Sequence, residues 1–380
     1  MSKINLILAV MFLTVLLLGA CQPSAPMRQT TPPQPSAVAA TPTSVAAPSV
    51  TPTATTTSSI PSVPPPQILP GESAGDAYET VLSFPAGKTG FPYRGIDMPG
   101  MEITGPNAFG IFSDGRVVIA DLIDNRLWLF TSSGELLRRI DLYPLGILNV
   151  SDLQIYQDEI YVLEIYLDPP VHHRIYLLSP DGALKTYYDI PEGYHLENGL
   201  TGFQIDCGGK IFLNMAGQLR LLPLSSQSLI AASSHDLYEC NGKSYAVPET
   251  IRGEKPKISA GSLTLGTSLT FGLGGLSLLK VNPDGSFFVV RSDVVNDKII
   301  QVDDTVHYIS ADGSQLGVAR VPVAERYYYV MRNLAVGPDG NVYCLLPQPD
   351  SLQLLRLKFY AALAPLLPGA EAPLVTRLLP

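Results

Sequence analysis

An all-β domain built from repeats is what this sequence predicts, and three observations carry the prediction. Eighteen tyrosines against one tryptophan, with many valine, isoleucine and leucine runs, favour strands over helices. Six tight-turn pairs stand between strand-like runs: Asp114 with Gly115, Asp158 with Glu159, Gly208 with Gly209, Asn241 with Gly242, Asp284 with Gly285, and Asp339 with Gly340. They recur about every 45 residues, and all but the second contain the glycine that tight hairpins favour. A second set of turns follows in TSSGELLRRIDL, SPDGALKTYYDI and SADGSQLGVARV. Two hairpins per repeat make about four strands, a period that suits the blades of a propeller. Six repeats fill residues 76–380, so the expected fold is a six-bladed β-propeller, with two packed β-sandwiches as the architectural alternative.

The segments ahead of the repeats read differently. Met1–Lys3 carries one positive charge, Ile4–Ala20 is almost wholly apolar, and Leu18, Gly19, Ala20 and Cys21 run on without a break. That order of charged start, apolar run and small-residue cleavage site describes a signal peptide over residues 1–20. The stretch LGAC resembles the lipobox of bacterial lipoproteins. The resemblance implies cleavage before Cys21 and lipidation of that cysteine, which would anchor the chain to the cell membrane, facing the extracytoplasmic side. An uncleaved membrane helix is the alternative, since Ile4–Ala20 lies near the short end of what spans a bilayer. From Gln22 to Pro70 there is no acidic and no aromatic residue, and Arg28 is the single charge. Residues 21–75 are therefore expected to form a disordered tether rich in Pro, Thr and Ser, unable to bury enough apolar surface to offset the entropy of ordering.

Within the repeats, continuous apolar runs such as RVVIA and SFFVV suit strands buried on both faces. The first unit, GPNAFGIFSDGRVVIADLIDNRLWLFTSSGELLRRI, resembles an NHL repeat, and NLAVGPDGNVYCLL resembles its first half. The likeness is weak from Leu221 to Phe271. It implies a propeller of the NHL and SMP-30-like kind, and by itself no activity. Because a ring must close and the sixth unit lacks a recognisable second hairpin, YETVLSF (Tyr78–Phe84) is expected to join the last blade.

Catalytic motifs are scarce. AGKT at Ala86–Thr89 lacks the first glycine of a phosphate loop, and Gly272, Gly274 and Gly275 lack a βαβ setting. No G-x-S-x-G elbow or H-E-x-x-H pair is present. His172, His173, His195, His235 and His307 show no regular metal-ligand spacing, so no metal and no cofactor is expected. Asp121, Asp124 and Asn125 look like a calcium cluster, but at the matching place in NHL-like units the aspartate ends a strand and bonds the following loop. Tyr327, Tyr328 and Tyr329 read as strand packing rather than a sugar platform.

Export puts Cys207, Cys240 and Cys344 in a space where disulfides form. Cys207 and Cys240 each precede the turn of neighbouring repeats and are the expected pair, while Cys344, inside NVYCLL, reads as core. A net charge of -9 repels phosphate backbones, which argues against nucleic acid as a partner. If the six turns share one face, the starts of the inner strands share the other. There Asn107, Asp152, Thr201, Arg332 and Asn333 would surround the channel mouth as a candidate ligand site. The expected function is a membrane-anchored extracytoplasmic binding or scaffolding protein for an envelope protein or glycan, without catalytic residues. The alternative is a metal-dependent propeller hydrolase or lyase of the lactonase sort.

Overall fold

The structure, a computed structural model, describes residues 64–73, 77–87, 90–96, 100–215, 218–222, 238–246, 255–368 and 370–378. The leader, Cys21, the tether as far as residue 63, and His235 lie outside the described residues. Among the described residues no helix is long and apolar enough to cross a membrane.

Six sheets follow one another along the chain in a β-propeller arrangement. The first comprises Ala108–Ile111, Val117–Asp121, Arg126–Phe130 and Leu136–Asp141, paired antiparallel in that order. The second repeats the pattern with Val150–Tyr156, Glu159–Tyr166, His172–Leu178 and Leu184–Asp189. The third has three described strands, Leu200–Ile205, Ile211–Met215 and Gln218–Leu221. The fourth runs from Tyr238–Cys240 through Lys243–Ala246 and Lys257–Ala260 to Leu263–Gly266, and the fifth from Gly274–Val281 through Phe287–Asn296 and Gln301–Ile309 to Gln315–Arg320. Leu334–Val336, Val342–Pro347 and Ser351–Leu357 begin the sixth.

Burial explains why the strands look as they do in sequence. Val117–Asp121 is buried throughout because the sheet is covered on both sides. Val117 and Ile119 pack in the cluster shared with the sixth sheet, whereas Val118 and Ala120 pack in the cluster shared with the second. The outermost strand, Leu136–Asp141, is exposed except at Ile140, so its sequence tolerates Arg138 and Arg139. Further clusters join the second sheet to the third, the third to the fourth and fifth, and the fifth to the sixth, so the apolar cores complete a ring.

The ring closes with the chain's own ends. Tyr78–Pro85 pairs antiparallel with Ser351–Leu357 and supplies the fourth strand of the sixth sheet, placing Phe84 in the core beside Phe91 and Phe130. The sixth and first inner strands meet through the parallel bridge Ala108 to Arg332. The fold also reaches further back than the expected boundary at residue 76, because Ile68–Ser73 pairs in parallel with Phe359–Leu363 outside the fifth sheet. The C-terminal Thr376–Leu378 adds a fifth strand to the fourth sheet. These additions are edge pairings made mainly by backbone, so composition gives little sign of them.

Around the axis the sheets are not six equal members. Gln204, on the inner strand of the third sheet, donates through Nε2 to the Leu278 carbonyl of the fifth at 2.6 Å. At that level the third and fifth inner strands are neighbours, and the fourth sheet stands back from the axis. Among the described residues five inner strands therefore line the centre, where six were expected. Of the fourth sheet's inner strand the described residues are Tyr238–Cys240, against the eight of Gly274–Val281 in the fifth. A disulfide from Cys207 to Cys240 pins this short strand to the third sheet, with the Cα atoms 5.1 Å apart. Cys344 is buried in the sixth sheet, and burial pushes its thiol up to about 12.

Candidate functional site

Every inner strand runs toward one of the six turns, so the ring has a turn face and an opposite loop face. The turns are tied to one another in sequence. Ser113 donates to the Asp158 carboxylate, the Tyr156 hydroxyl donates to the Cys207 carbonyl, and the disulfide leads on to Cys240. Asn241 then reaches the Pro283 carbonyl. Pro64, the first described residue, lies against Gly340 on this same face.

The loop face holds the residues that the sequence singled out. Arg332 forms a two-pronged ion pair with Asp152, Nε to Oδ1 and Nη2 to Oδ2, each at 2.6 Å, and Nη2 also donates to the Phe203 carbonyl at 2.6 Å. Asp152 accepts the backbone N–H groups of Leu153 at 2.8 Å and Phe203 at 3.3 Å. With 2% of its side chain exposed, the carboxylate is fully engaged. Asn107 Nδ2 donates to the Val150 and Ser151 carbonyls, and its own carbonyl accepts the Arg332 N–H at 3.0 Å. Asn107, Asp152 and Arg332 thus converge, but they clasp the sixth, first, second and third sheets together at the axis. Thr201 is exposed and donates to Asn214 in its own hairpin, and Asn333 contributes its backbone carbonyl to Leu345. The five residues do not form one open polar cradle, because most of their bonding capacity is spent between sheets. The partners lie up to 180 positions apart, which no local pattern could reveal.

Two further polar groups sit on the loop face, at the ends of second-sheet strands. Glu164, with a fully buried side chain, accepts from the Leu148 N–H at 2.5 Å and the Tyr176 hydroxyl at 2.8 Å, with His172 Nε2 at 3.1 Å. Beside it His173 and His195 stack with ring centroids 4.2 Å apart, next to the exposed Glu197. Burial and the neighbouring His195 hold the His173 imidazole below its usual pKa, so it is neutral near pH 7. These histidines stand far apart in sequence, and the spacing gave no signal.

The other expectations on this face resolve simply. Asp121 accepts the backbone N–H groups of Ile123 and Asp124 and the Trp128 indole N–H, the loop-bonding role that the repeat resemblance implies. Asn125 bonds Ile147 and Val150 and fixes the entry to the second sheet. Tyr327, Tyr328 and Tyr329 lie in the connection ahead of Leu334–Val336 and not in the expected strand; Tyr328 is buried with its hydroxyl on the Pro106 carbonyl, whereas Tyr329 is 60% exposed.

What distinguishes the loop face is apolar exposure. Leu148, Phe271, Tyr329 and Met331 project from connections there, and Ile299 and Ile300 cap the hairpin between Phe287–Asn296 and Gln301–Ile309 at 72% and 67% exposure. Ile300 adopts φ 49°, a conformation costly for a β-branched residue. On the opposite face the large exposed apolar side chains among the described residues are leucines at the starts of outer strands, Leu136, Leu184 and Leu316.

Sheets and site together define a β-propeller protein with one apolar, loop-built face. No family model matches the sequence, and no curated protein matches it. Among solved structures it is similar to a glucose dehydrogenase, at 12% identity over 74% of this chain and 98% of that one, with a TM-score of 0.43. It is likewise similar to virginiamycin B lyase from Staphylococcus aureus, at 11% identity over 70% and 99% of the two chains with a TM-score of 0.36. The soluble aldose sugar dehydrogenase of Escherichia coli aligns at 11% identity over 66% and 96%, with a TM-score of 0.40. The propeller is read from the sheets themselves, and no activity passes to this chain from those proteins.

Proposed function

We propose that the chain is an extracytoplasmic binding module, tethered to the cell membrane by a lipid on Cys21, whose loop face captures a protein of the cell envelope. The observation that carries this reading is the pair Ile299 and Ile300. They cost strain and solvent exposure, and the fold gains no packing from them, whereas glycine or asparagine would serve such a tip better.

The test is capture from detergent-solubilised envelopes with the full chain and its Ile299→Ser, Ile300→Ser double variant. The reading expects at least a tenfold loss of the recovered partner at an unchanged melting temperature. Undiminished recovery by the folded variant moves the surface elsewhere. Cys21→Ser should separately abolish acyl labelling and release the chain from membranes, and retention would remove the lipid from the account. A metal-dependent hydrolase or lyase is the second reading, and the observation in its favour is the grouping of His173, His195 and Glu197.

A further inference from the structure

We infer that His173, His195 and Glu197 form a binding site for a divalent transition-metal ion of the zinc or cobalt kind. One ring nitrogen of each histidine and one carboxylate oxygen of Glu197 lie within 4.8 Å of one another. His195 Nε2 lies 3.0 Å from the Ile190 carbonyl, which can only accept, so in the neutral ring Nε2 carries the proton and Nδ1 offers its lone pair. That Nδ1 stands 3.9 Å from Glu197 Oε1. With the ring neutral, two acceptors so close repel each other, and either a proton on Nδ1 or a cation between them removes the repulsion.

His173 adds the same feature. Its Nε2 accepts the Leu196 N–H at 3.1 Å, so this ring too keeps a lone pair beside the 195–197 segment. Its proton sits on Nδ1, a buried atom that meets no acceptor. Both imidazoles are almost fully buried, at 1% and 7% exposure, and the Leu196 N–H bonds His173 alone. The bond from His195 to a backbone carbonyl is the outer partner that metal-ligating histidines ordinarily have.

A metal ion would displace the Leu196 N–H from His173. The rings lie 29° from parallel and must rotate to bring both lone pairs onto one ion, while exposed Glu197 is free to swing in. Two imidazoles and a carboxylate suit zinc or cobalt better than calcium or magnesium, which prefer oxygen ligands. Three protein ligands leave a fourth position open to water or to an anionic group of a ligand.

The experiment uses the full chain in detergent, stripped with EDTA and titrated with cobalt chloride and then zinc chloride. The expected result is one cobalt ion per chain, seen by its visible absorption and displaced by zinc. Glu197→Gln and His195→Gln should each weaken binding at least tenfold, and His172→Ala, which alters the neighbouring Glu164 group, should leave it intact. Glu197→Gln is exposed and should keep the melting temperature of the metal-free chain, so a loss of binding there is not a loss of fold. No stoichiometric binding, or undiminished binding by Glu197→Gln and His195→Gln, overturns the site. The result is independent of partner capture, which Ile299 and Ile300 report.

Discussion

The two ends of the ring are built on opposite terms. At the turn face the chain reverses through short polar turns whose Asp, Ser and Asn side chains bond their own backbone, as Asp114 does with Arg116, Asp284 with Ser286 and Asp312 with Ser314. At the loop face the connections are longer and carry exposed apolar groups, buried histidines and the Asp152–Arg332 clasp. Turns that satisfy their own backbone have little left to offer a ligand. Loops that need the ring to hold them in place are free to carry side chains the fold does not require, and function concentrates on such loops.

The strongest way to break this comparison is to cut the clasp on which the loop face rests. Arg332→Ala strands the buried Asp152 carboxylate among two backbone N–H groups and should cost about 3–5 kcal/mol. Adding Asp152→Ala should recover part of that loss, because the stranded charge goes with it; strict additivity in chemical denaturation would mean the pair is not coupled.

Next in size is the disulfide, which anchors the recessed fourth sheet at the turn face. Cys207 and Cys240 are 33 residues apart, and their joint replacement by serine should lower stability by about 3 kcal/mol. The loss should show first as faster hydrogen exchange in Tyr238–Ala246. Uniform loss of protection around the whole ring would instead make the fourth sheet an integral member.

A smaller effect should appear on acidification. His307 is fully buried in the fifth sheet, with Nδ1 donating to Gln315 and Nε2 accepting from Thr305, and burial pushes it down to about 4. A group whose folded pKa lies below its unfolded value gives stability that is present above the unfolded value, 6.5, and is lost as pH falls toward 4. Relative to His307→Gln, the unsubstituted chain should lose on the order of 2 kcal/mol across that window. Parallel curves would show that His307 is not buried neutral.

Much of this was legible in the sequence and some could not be. Five of the six turns were readable because they carry a glycine that accepts the positive φ a tight turn needs, and Tyr78–Phe84 because a ring needs a closing strand. The recession of the fourth sheet was hidden, because a segment such as Tyr238–Cys240 reads the same in sequence at the axis or set back from it. Asn107, Asp152 and Arg332 were found as polar starts of inner strands, but whether a carboxylate awaits a ligand or already holds an arginine is decided by partners more than a hundred positions away. The Ile299–Ile300 tip had a signal that could have been used, two isoleucines in NDKIIQ where a turn calls for glycine or asparagine. His173 and His195 had none.

The least costly substitutions for the fold are those on the exposed tip, and they bear most on function. Ile300→Gly removes a strained φ and should leave the melting temperature unchanged or raise it by about a degree. The most direct measurement places a photo-crosslinking amino acid at Ile299 on the loop face and, in a second strain, at Asp114 on the turn face, with illumination in intact cells. A discrete protein adduct from position 299 and none from 114 is the predicted result. Equal crosslinking from both faces, or adducts from 299 to lipid alone, would contradict the assignment of the loop face as a protein-capturing surface.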